Sequence, residues 1–223
     1  MRLVLPGEEV SLNSPGRTFA RHHHLKGYAA LIVSGSCHEA GDCGRFNASA
    51  ADVLVHLGFE AHQDCIGSAG AKIINFELEK SPPSSFGSVA DLDAIVQLHE
   101  RDPREAAELL VEQFVPHATQ CSDWPDLLAR ELSGAEPARL DQWAHRHGLS
   151  ANSLSRGFRL AYGVTPKRYR FEQMVSRAAR RARDTGEVLS MVAAASGFAD
   201  QAHMTRAMAQ LFGVTPKVLR GMS

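Results

Sequence analysis

The feature that most constrains this chain is a repeat in its C-terminal part. The run 163–167, GVTPK, recurs unchanged at 213–217, and Arg156 matches Arg206 at the same offset of 50 residues. A period of this size indicates one supersecondary unit used twice. Farther upstream the offset is 49 residues, which predicts that the second copy has one extra residue in its turn.

Each copy has the pattern of a helix, a tight turn and a second helix. The first helix ends at a glycine, Gly148 or Gly197, because a residue without a Cβ adopts left-handed backbone at low cost. Ser150 and Asp200 are suited to cap the second helix by accepting a backbone N–H. This is the helix-turn-helix pattern, whose second helix enters the DNA major groove. The residues predicted to face inward from the second helices are Leu154, Phe158, Ala161, Met204, Met208 and Leu211.

The opposite face of each second helix carries polar side chains. Arginine forms paired hydrogen bonds with guanine, and asparagine or glutamine does so with adenine. Isolated helix-turn-helix patterns also occur in proteins that bind no DNA. Two copies with matching arginines, glycines and Thr-Pro pairs nevertheless favour binding to double-stranded DNA. The residues predicted to contact DNA are Asn152, Ser155, Arg156, Arg159, Gln201, Ala202, Thr205 and Arg206.

Both copies also match a known family in their detailed sequence. Residues 148–170, GLSANSLSRGFRLAYGVTPKRYR, and residues 197–220, GFADQAHMTRAMAQLFGVTPKVLR, resemble the two halves of the DNA-binding domain of AraC/XylS-type transcription regulators. The resemblance implies two recognition helices in successive major grooves, joined by a long helix. It also implies a non-enzymatic regulator that forms a homodimer and contacts RNA polymerase where it is an activator. Met208 and Leu219 depart from the aromatic residues usual there, which bears on packing rather than on DNA contact.

Charge is distributed unevenly along the chain. Residues 134–223 carry 14 Lys and Arg against 6 Asp and Glu, whereas residues 1–133 carry 10 against 19. This asymmetry suggests that the C-terminal part meets a polyanion. Cations on the helix predicted from residue 166 to residue 184 are suited to phosphate contact, although a run of charge is more often a solvated face. These cations are Lys167, Arg168, Arg170, Arg177, Arg180, Arg181 and Arg183.

The sequence has no apolar run long enough to span a bilayer and no signal-peptide core at its N-terminus. We therefore expect a cytoplasmic protein without a membrane partner, in which the cysteines are reduced. Their spacings fit no standard zinc module. The cysteines are Cys37, Cys43, Cys65 and Cys121.

The N-terminal part alternates short β-like runs with glycines. Residues 21–33, 52–57 and 71–78 are predicted strands, because they are rich in β-branched residues and bounded by turn signals. Glycines such as Gly35 and Gly67 are predicted turns. Many short strands favour a sandwich or a small barrel.

A run of Ser, Pro and Gly at residues 81–88 is predicted to be a linker. Helices are predicted at residues 89–100, 103–115 and 124–132. These helices either bridge the two halves and dimerise, or cover the open side of the barrel. We therefore predict an α+β chain with a small β-barrel at residues 1–80, linking helices at 81–133, and an all-α domain with two helix-turn-helix units at 134–223.

A second resemblance adds detail to the N-terminal part. The spacing of the first motif of the cupin barrel is matched by Gly16, His22, His24, Tyr28 and Gly35. Tyr28 stands in the position of a glutamate ligand, and His62 lies where the otherwise degenerate second motif has its histidine. The resemblance implies a cupin-like sensor domain that responds to a small-molecule or metal effector.

The histidines suggest one candidate cofactor, a divalent metal. On a strand, residues i and i+2 share a face, so His22 and His24 are expected to point the same way. With His62 they would form a three-histidine site with an open position. The histidines are equally suited to hydrogen bonding without metal, in a barrel that binds a small apolar effector or serves only as a dimerisation scaffold. An alternative of a different class is a metal-dependent cupin enzyme or metal sensor that uses these three histidines, although Tyr28 in the ligand position weighs against the enzyme.

Overall fold

The computed structural model describes residues 10–78, 80–118, 123–134 and 136–221. The expectation for Cys121 lies outside these residues. The described residues divide into two compact units, Met1–Asp126 and Leu127–Ser223. The strands are β1 Val10–Asn13, β2 Thr18–His23, β3 Tyr28–Gly41, β4 Gly44–Ser49, β5 Asp52–His56, β6 Ala61–Glu77, β7 Phe86–Ser88 and β8 Val115–Pro116. The helices are α1 Leu92–His99, α2 Pro103–Gln113, α3 Trp124–Ser133, α4 Leu140–Arg146, α5 Ala151–Tyr162, α6 Pro166–Asp184, α7 Leu189–Ala195, α8 Gln201–Phe212 and α9 Pro216–Arg220.

The N-terminal unit is organised around the antiparallel pair of long strands β3 and β6. Their pairing runs from Tyr28 opposite Glu77 to Gly41 opposite His62. One half of this pair is flanked by β2 and β4, and the other half by β1 and β5. Strands β7 and β8 continue the sheet beyond β5. The mixed α+β class is therefore confirmed, but the expectation of a closed barrel is wrong, because the described strands form an open sheet.

Two local expectations fail within this sheet. Residues 21–33 do not form one strand, because β2 ends at His23 and a turn precedes β3. Gly35 and Gly67 lie inside β3 and β6 rather than in turns. The pairing of β3 with β6 shifts register on both sides of Gly35, whose φ of +78° is accessible to glycine at low cost.

Both faces of the central sheet are covered. Ala29 and Leu31 pack with Ile95 of α1 and Leu110 of α2 on one face. On the other face, alternate residues of β3 pack with Phe46 and with other buried side chains of the sheet. Because neighbouring residues of a strand point to opposite faces, β3 is apolar at consecutive positions here.

The segment predicted as a linker is partly a strand. Phe86 to Ser88 form β7, which pairs with β5 and β8, so the linker expectation for these residues is wrong. Val89, which was predicted to begin a helix, is buried against the sheet, and Asp91 caps α1 instead. Helix α2 starts at Pro103, as predicted, and the side chain of Asp102 caps it.

The C-terminal unit has the predicted order of helices, with α6 in contact with α5, α7, α8 and α9. The buried face of α6 is broader than one helical stripe. Tyr169, Gln173 and Ser176 are buried, whereas Phe171 and Met174 are only half-buried. A helix that packs on several neighbours must bury more than one stripe.

No helix among the described residues combines the length and the apolar character that crossing a membrane requires. The thiols of Cys37, Cys43 and Cys65 are free.

The bulge at Gly35 leads to a prediction on stability. A Cβ at Gly35 would collide with the carbonyl oxygen of Gly70, and the backbone at Gly35 is left-handed. We expect Gly35→Ala to lower the free energy of unfolding by at least about 2 kcal/mol, because the collision adds to the cost of left-handed backbone. Urea unfolding of the full chain, followed by far-ultraviolet circular dichroism, measures this change.

Gly16→Ala is the matched control. Gly16 has a φ of +68°, but a Cβ there would have no heavy atom within 4 Å. We expect a loss of about 1 kcal/mol from backbone strain alone. Equal losses for both variants would contradict a role for the close approach of Gly35 to Gly70.

Candidate DNA-binding surface and histidine cluster

Helices α5 and α8 are built alike from matching capping residues. Ser150 accepts a hydrogen bond from the backbone N–H of Ser153 at 3.1 Å, and Asp200 accepts one from His203 at 2.6 Å. Both helices have 12 residues and end at a left-handed glycine with φ of 74° and 73°. Arg156 and Arg206 are therefore each the sixth residue of their helix.

The turns that precede these helices also match, apart from the predicted extra residue. In the first, the N–H of Leu149 donates to the carbonyl of Ala144 at 2.9 Å, and in the second Phe198 donates to Ala193 at 3.0 Å. Between the glycine and the cap there is one residue in the first turn, Leu149, and there are two in the second, Phe198 and Ala199. Gly148 and Gly197 adopt positive φ, as the pattern predicted.

All eight residues predicted to contact DNA lie on the outer faces of α5 and α8. Asn152, Arg156, Arg159, Gln201, Ala202 and Arg206 are exposed, and Ser155 and Thr205 are half-buried. The hydroxyl of Thr205 donates to the carbonyl of Gln201 at 2.9 Å. This hydrogen bond occupies the Thr205 proton within the helix, so the side chain offers its methyl group and an oxygen acceptor.

Aromatic packing holds α5 on α6. The ring of Phe158 lies 4.8 Å from that of Tyr162 and 5.3 Å from that of Tyr169, measured between centroids. The indole N–H of Trp143 donates to Glu131 at 2.9 Å and ties α4 to α3. The aromatic contacts hold the inner face of α5 against α6, and its polar residues lie on the opposite face.

Several cations of α6 are engaged within the unit. Arg168 pairs with Glu172, Arg181 forms two hydrogen bonds of 2.9 Å with Glu187, and Arg183 pairs with Asp184. Arg177 donates to the carbonyl of Ser133 at 3.0 Å. Lys167 and Arg170 are exposed near the start of the helix, which makes them the better candidates for phosphate contact.

The predicted metal-binding histidines converge in the N-terminal unit. His22 is paired across the sheet with His62, and their ring centroids lie 4.4 Å apart. His24 follows the end of β2, and its Nε2 lies 3.0 Å from Nε2 of His62. The rings of His22 and His24 point into the same cluster, with their centroids 4.8 Å apart, and the backbone of His24 still pairs with that of Phe59 and Glu60. The nitrogen atoms that the three rings offer lie within 4.8 Å of one another.

Hydrogen bonds orient two of these rings. Nδ1 of His22 lies 3.0 Å from the carbonyl of Ala20, to which it can donate. Nδ1 of His62 lies 2.9 Å from a carboxylate oxygen of Glu39. A ring that donates from Nδ1 presents its Nε2 to the shared space, which is how many metal sites orient their histidines. The hydroxyl of Tyr28 lies 3.3 Å from Nε2 of His24 and 3.2 Å from Nε2 of His62.

Glu39 and His56 are members of the cluster that the sequence did not indicate. The carboxylate of Glu39 lies 3.3 Å from Nε2 of His56 as well as contacting His62. Glu39 lies in the half of β3 that was not predicted as a strand, so no periodic pattern marked it. His56 ends a strand that was predicted, and its position beside an apolar run was the only available signal.

Burial and neighbouring charges give the histidines of the cluster different pKa values. Burial and the neighbouring His62 lower the pKa of His22 to about 4 and that of His24 to about 2, so both rings are neutral at neutral pH. Burial alone would also lower the pKa of His62, but Asp64 and Glu39 raise it to about 9. Burial would raise the pKa of Glu39, but the facing His56 and His62 hold it below its usual value. A metal at this site would have to displace a proton from His62.

Comparisons with known proteins agree with the C-terminal geometry. A family model described as a helix-turn-helix domain matches residues 143–222. The chain is 27% identical over 161 residues to the HTH-type transcriptional regulator ArgR of Pseudomonas aeruginosa. This alignment covers 64% of the chain, which spans about half (49%) of that relative's length.

Two solved structures align with this chain at low TM-scores. A transcriptional regulator with an AraC-type DNA-binding domain from Chromobacterium violaceum aligns over 43% of this chain and 84% of its own, with 27% identity and a TM-score of 0.38. ToxT of Vibrio cholerae aligns over 96% of this chain and 97% of its own, with 9% identity and a TM-score of 0.42. The two helices capped by side chains and the matching family model together show that residues 143–222 form a helix-turn-helix domain.

Proposed function

We propose that this chain is a sequence-specific DNA-binding transcription regulator that reads its operator with α5 and α8. The observation that carries the proposal is the equivalence of these helices, which have the same length, the same capping and an arginine at the same exposed position. A helix-turn-helix protein places the N-terminal part of its second helix against base edges. Two such helices in one chain would read two neighbouring stretches of major groove.

The residues on the outer faces suggest how bases are read. Arg156 and Arg206 have the reach and geometry to pair with guanine, and Asn152 and Gln201 are suited to adenine. Thr205 offers a methyl group, which is suited to packing against the methyl group of thymine. Ser155, Arg159 and Ala202 complete the proposed contact set.

We assign the remaining functions by region. Residues 1–80 would act as the sensor, residues 81–133 as the connection, and residues 134–223 as the DNA-binding domain. The sensor responds to a small-molecule or metal effector, the regulator acts as a homodimer, and an activating form contacts RNA polymerase. The unequal charge of the two halves supports this division, because the excess of cations lies in the half assigned to DNA.

Arg206→Ala tests direct base reading. We expect a loss of about 1–3 kcal/mol in binding to the preferred site and relaxed preference at one base position, because a bidentate contact to guanine is removed. The measurement is a titration of sites selected from random DNA, together with variants at each position. Arg104→Ala removes the same charge from an exposed position of α2 and is the control. Equal weakening on all sequences would show that Arg206 contacts phosphate only.

Arg170→Ala tests phosphate contact at the start of α6. We expect weaker binding by a similar factor on preferred and unrelated DNA, and a salt dependence reduced by about one unit of slope. Titrations at several salt concentrations measure both quantities. Arg181→Ala is the comparison, because its guanidinium is engaged by Glu187. A change in base preference for Arg170→Ala would rule out a purely electrostatic role.

A second function, the sensing of a metal ion, is favoured by the histidine cluster. His22, His24 and His62 bring three imidazole rings together, and the carboxylate of Glu39 lies against Nδ1 of His62, on the side away from the shared space. These residues fit a zinc-like divalent ion, because imidazole nitrogen is a preferred ligand and a carboxylate commonly accepts the other N–H of a ligating histidine. The bound ion would supply a charged centre that draws β2 and β6 together.

His24→Ala tests this second function. We expect the chain to bind one Zn²⁺ per protomer and the variant to bind it about 100-fold more weakly or worse, since loss of a mere supporting partner already costs about 10–100-fold. Competition with a fluorescent chelator, together with elemental analysis, measures the affinity and stoichiometry. His38→Ala removes an exposed histidine of β3 outside the cluster and is the control. Absence of stoichiometric zinc in the unmodified chain would refute the sensor.

A further inference from the structure

The hydroxyl of Tyr28 forms a nearly equilateral triangle with two histidine nitrogens. Nε2 of His24 and Nε2 of His62 are 3.0 Å apart, and the Tyr28 oxygen lies 3.3 and 3.2 Å from them. Ligands held at about 2.0 Å from a tetrahedral ion are about 3.3 Å apart. The three atoms therefore have the spacing of one face of a tetrahedral zinc site.

We propose that Tyr28 is the fourth ligand of the metal site, so that His22, His24, His62 and Tyr28 hold one divalent cation of the zinc type in a closed N₃O shell. This inference rests on the metal-sensing function proposed above and adds a ligand to it. The ion binds the Tyr28 oxygen as phenolate, so the O–H bond breaks and its proton passes to solvent. The shell then has four protein ligands, the number found in tetrahedral structural zinc sites.

The surroundings hold each donor atom in position. The Tyr28 ring is buried and stacks on His56 with a centroid distance of 4.6 Å, which fixes the direction of its hydroxyl. His22 and His62 are oriented through their Nδ1 atoms by Ala20 and Glu39. His22 is the half-buried ligand, whereas His24, His62 and Tyr28 are buried. The ion would therefore enter from the side of His22.

A competing group of donors shares His62. Glu39, His56 and His62 also offer ligand atoms within 4.8 Å of one another. In that group His62 would bind through Nδ1, the atom that lies 2.9 Å from Glu39 and can donate to it. The Tyr28 group keeps this hydrogen bond and uses the opposite nitrogen, which gives the carboxylate–histidine–metal arrangement common in zinc sites. The geometry therefore favours the Tyr28 group.

A closed shell has a functional consequence. Catalytic zinc sites keep one position for water or substrate, whereas a site with four protein ligands has none. Coordination by Tyr28 thus distinguishes a sensor, in which the ion itself is the effector, from a metal-dependent enzyme. The same tyrosine stands where the cupin motif has a glutamate ligand, so the substitution supplies an oxygen donor on a longer and more rigid side chain.

Tyr28→Phe in the full chain tests the proposal, because it removes the hydroxyl and keeps the ring. We expect Zn²⁺ affinity to fall by at least about 10-fold, the smallest loss typical of removing a supporting group. With Co²⁺ as a spectroscopic probe, we expect the visible spectrum of the unmodified chain to be tetrahedral and that of the variant to change. Tyr162→Phe, the same change in a buried tyrosine of the C-terminal unit, is the control.

A second measurement uses the unmodified chain and is independent of the folding of the variant. Titration with Zn²⁺ should produce the ultraviolet difference bands of tyrosinate, saturating at one ion per protomer. Unchanged affinity in Tyr28→Phe, or no tyrosinate bands on saturation, would overturn Tyr28 as a ligand and leave the three-histidine site intact. A complete loss of affinity in His56→Gln with none in Tyr28→Phe would assign the ion to the Glu39 group. If the unmodified chain binds no zinc, both the sensor and this inference fail.

Discussion

The register between β3 and β6 is the constraint on which the N-terminal unit depends. It sets Gly41 opposite His62 and thereby brings Glu39, two residues earlier on β3, to the Nδ1 side of that histidine. A slip by one residue would turn every side chain of β6 to the other face. The bulge at Gly35 absorbs a register shift between the two halves of the pair, so each half can keep its own pairing.

The C-terminal unit depends instead on the positions at which α5 and α8 begin. A side-chain cap starts α5 at Ala151 and α8 at Gln201. Because helical side chains are separated by a fixed rotation, this starting point determines which residues face outward. The extra residue in the second turn precedes the cap, so it leaves the face of α8 unchanged. Arg156 and Arg206 remain equivalent for this reason.

Much of the C-terminal unit could be predicted because its determinants are local. Glycines at positive φ, Ser or Asp caps and Pro at the first helical position act within a few residues of themselves. The sheet was harder to predict, because β3 is buried on both faces at its first half and lacks a two-residue alternation there. Its second half contains Gly, Cys and His, which are weak indicators of a strand. The open form of the sheet and the place of Phe86 in β7 were also hard to predict, because both depend on pairing between residues far apart in the chain.

The sequence by itself determined the twin helical modules, their caps and the polar residues on their outer faces, because each of these follows from neighbours along one helix. It also indicated His22, His24 and His62 as a group. Only the tertiary structure decided how those histidines meet, since the pairing of β2 with β6 sets His22 opposite His62. The tertiary structure likewise brought the Glu39 carboxylate and the Tyr28 hydroxyl to His62. Such contacts join strands far apart in the chain, and no local preference encodes the distance between them.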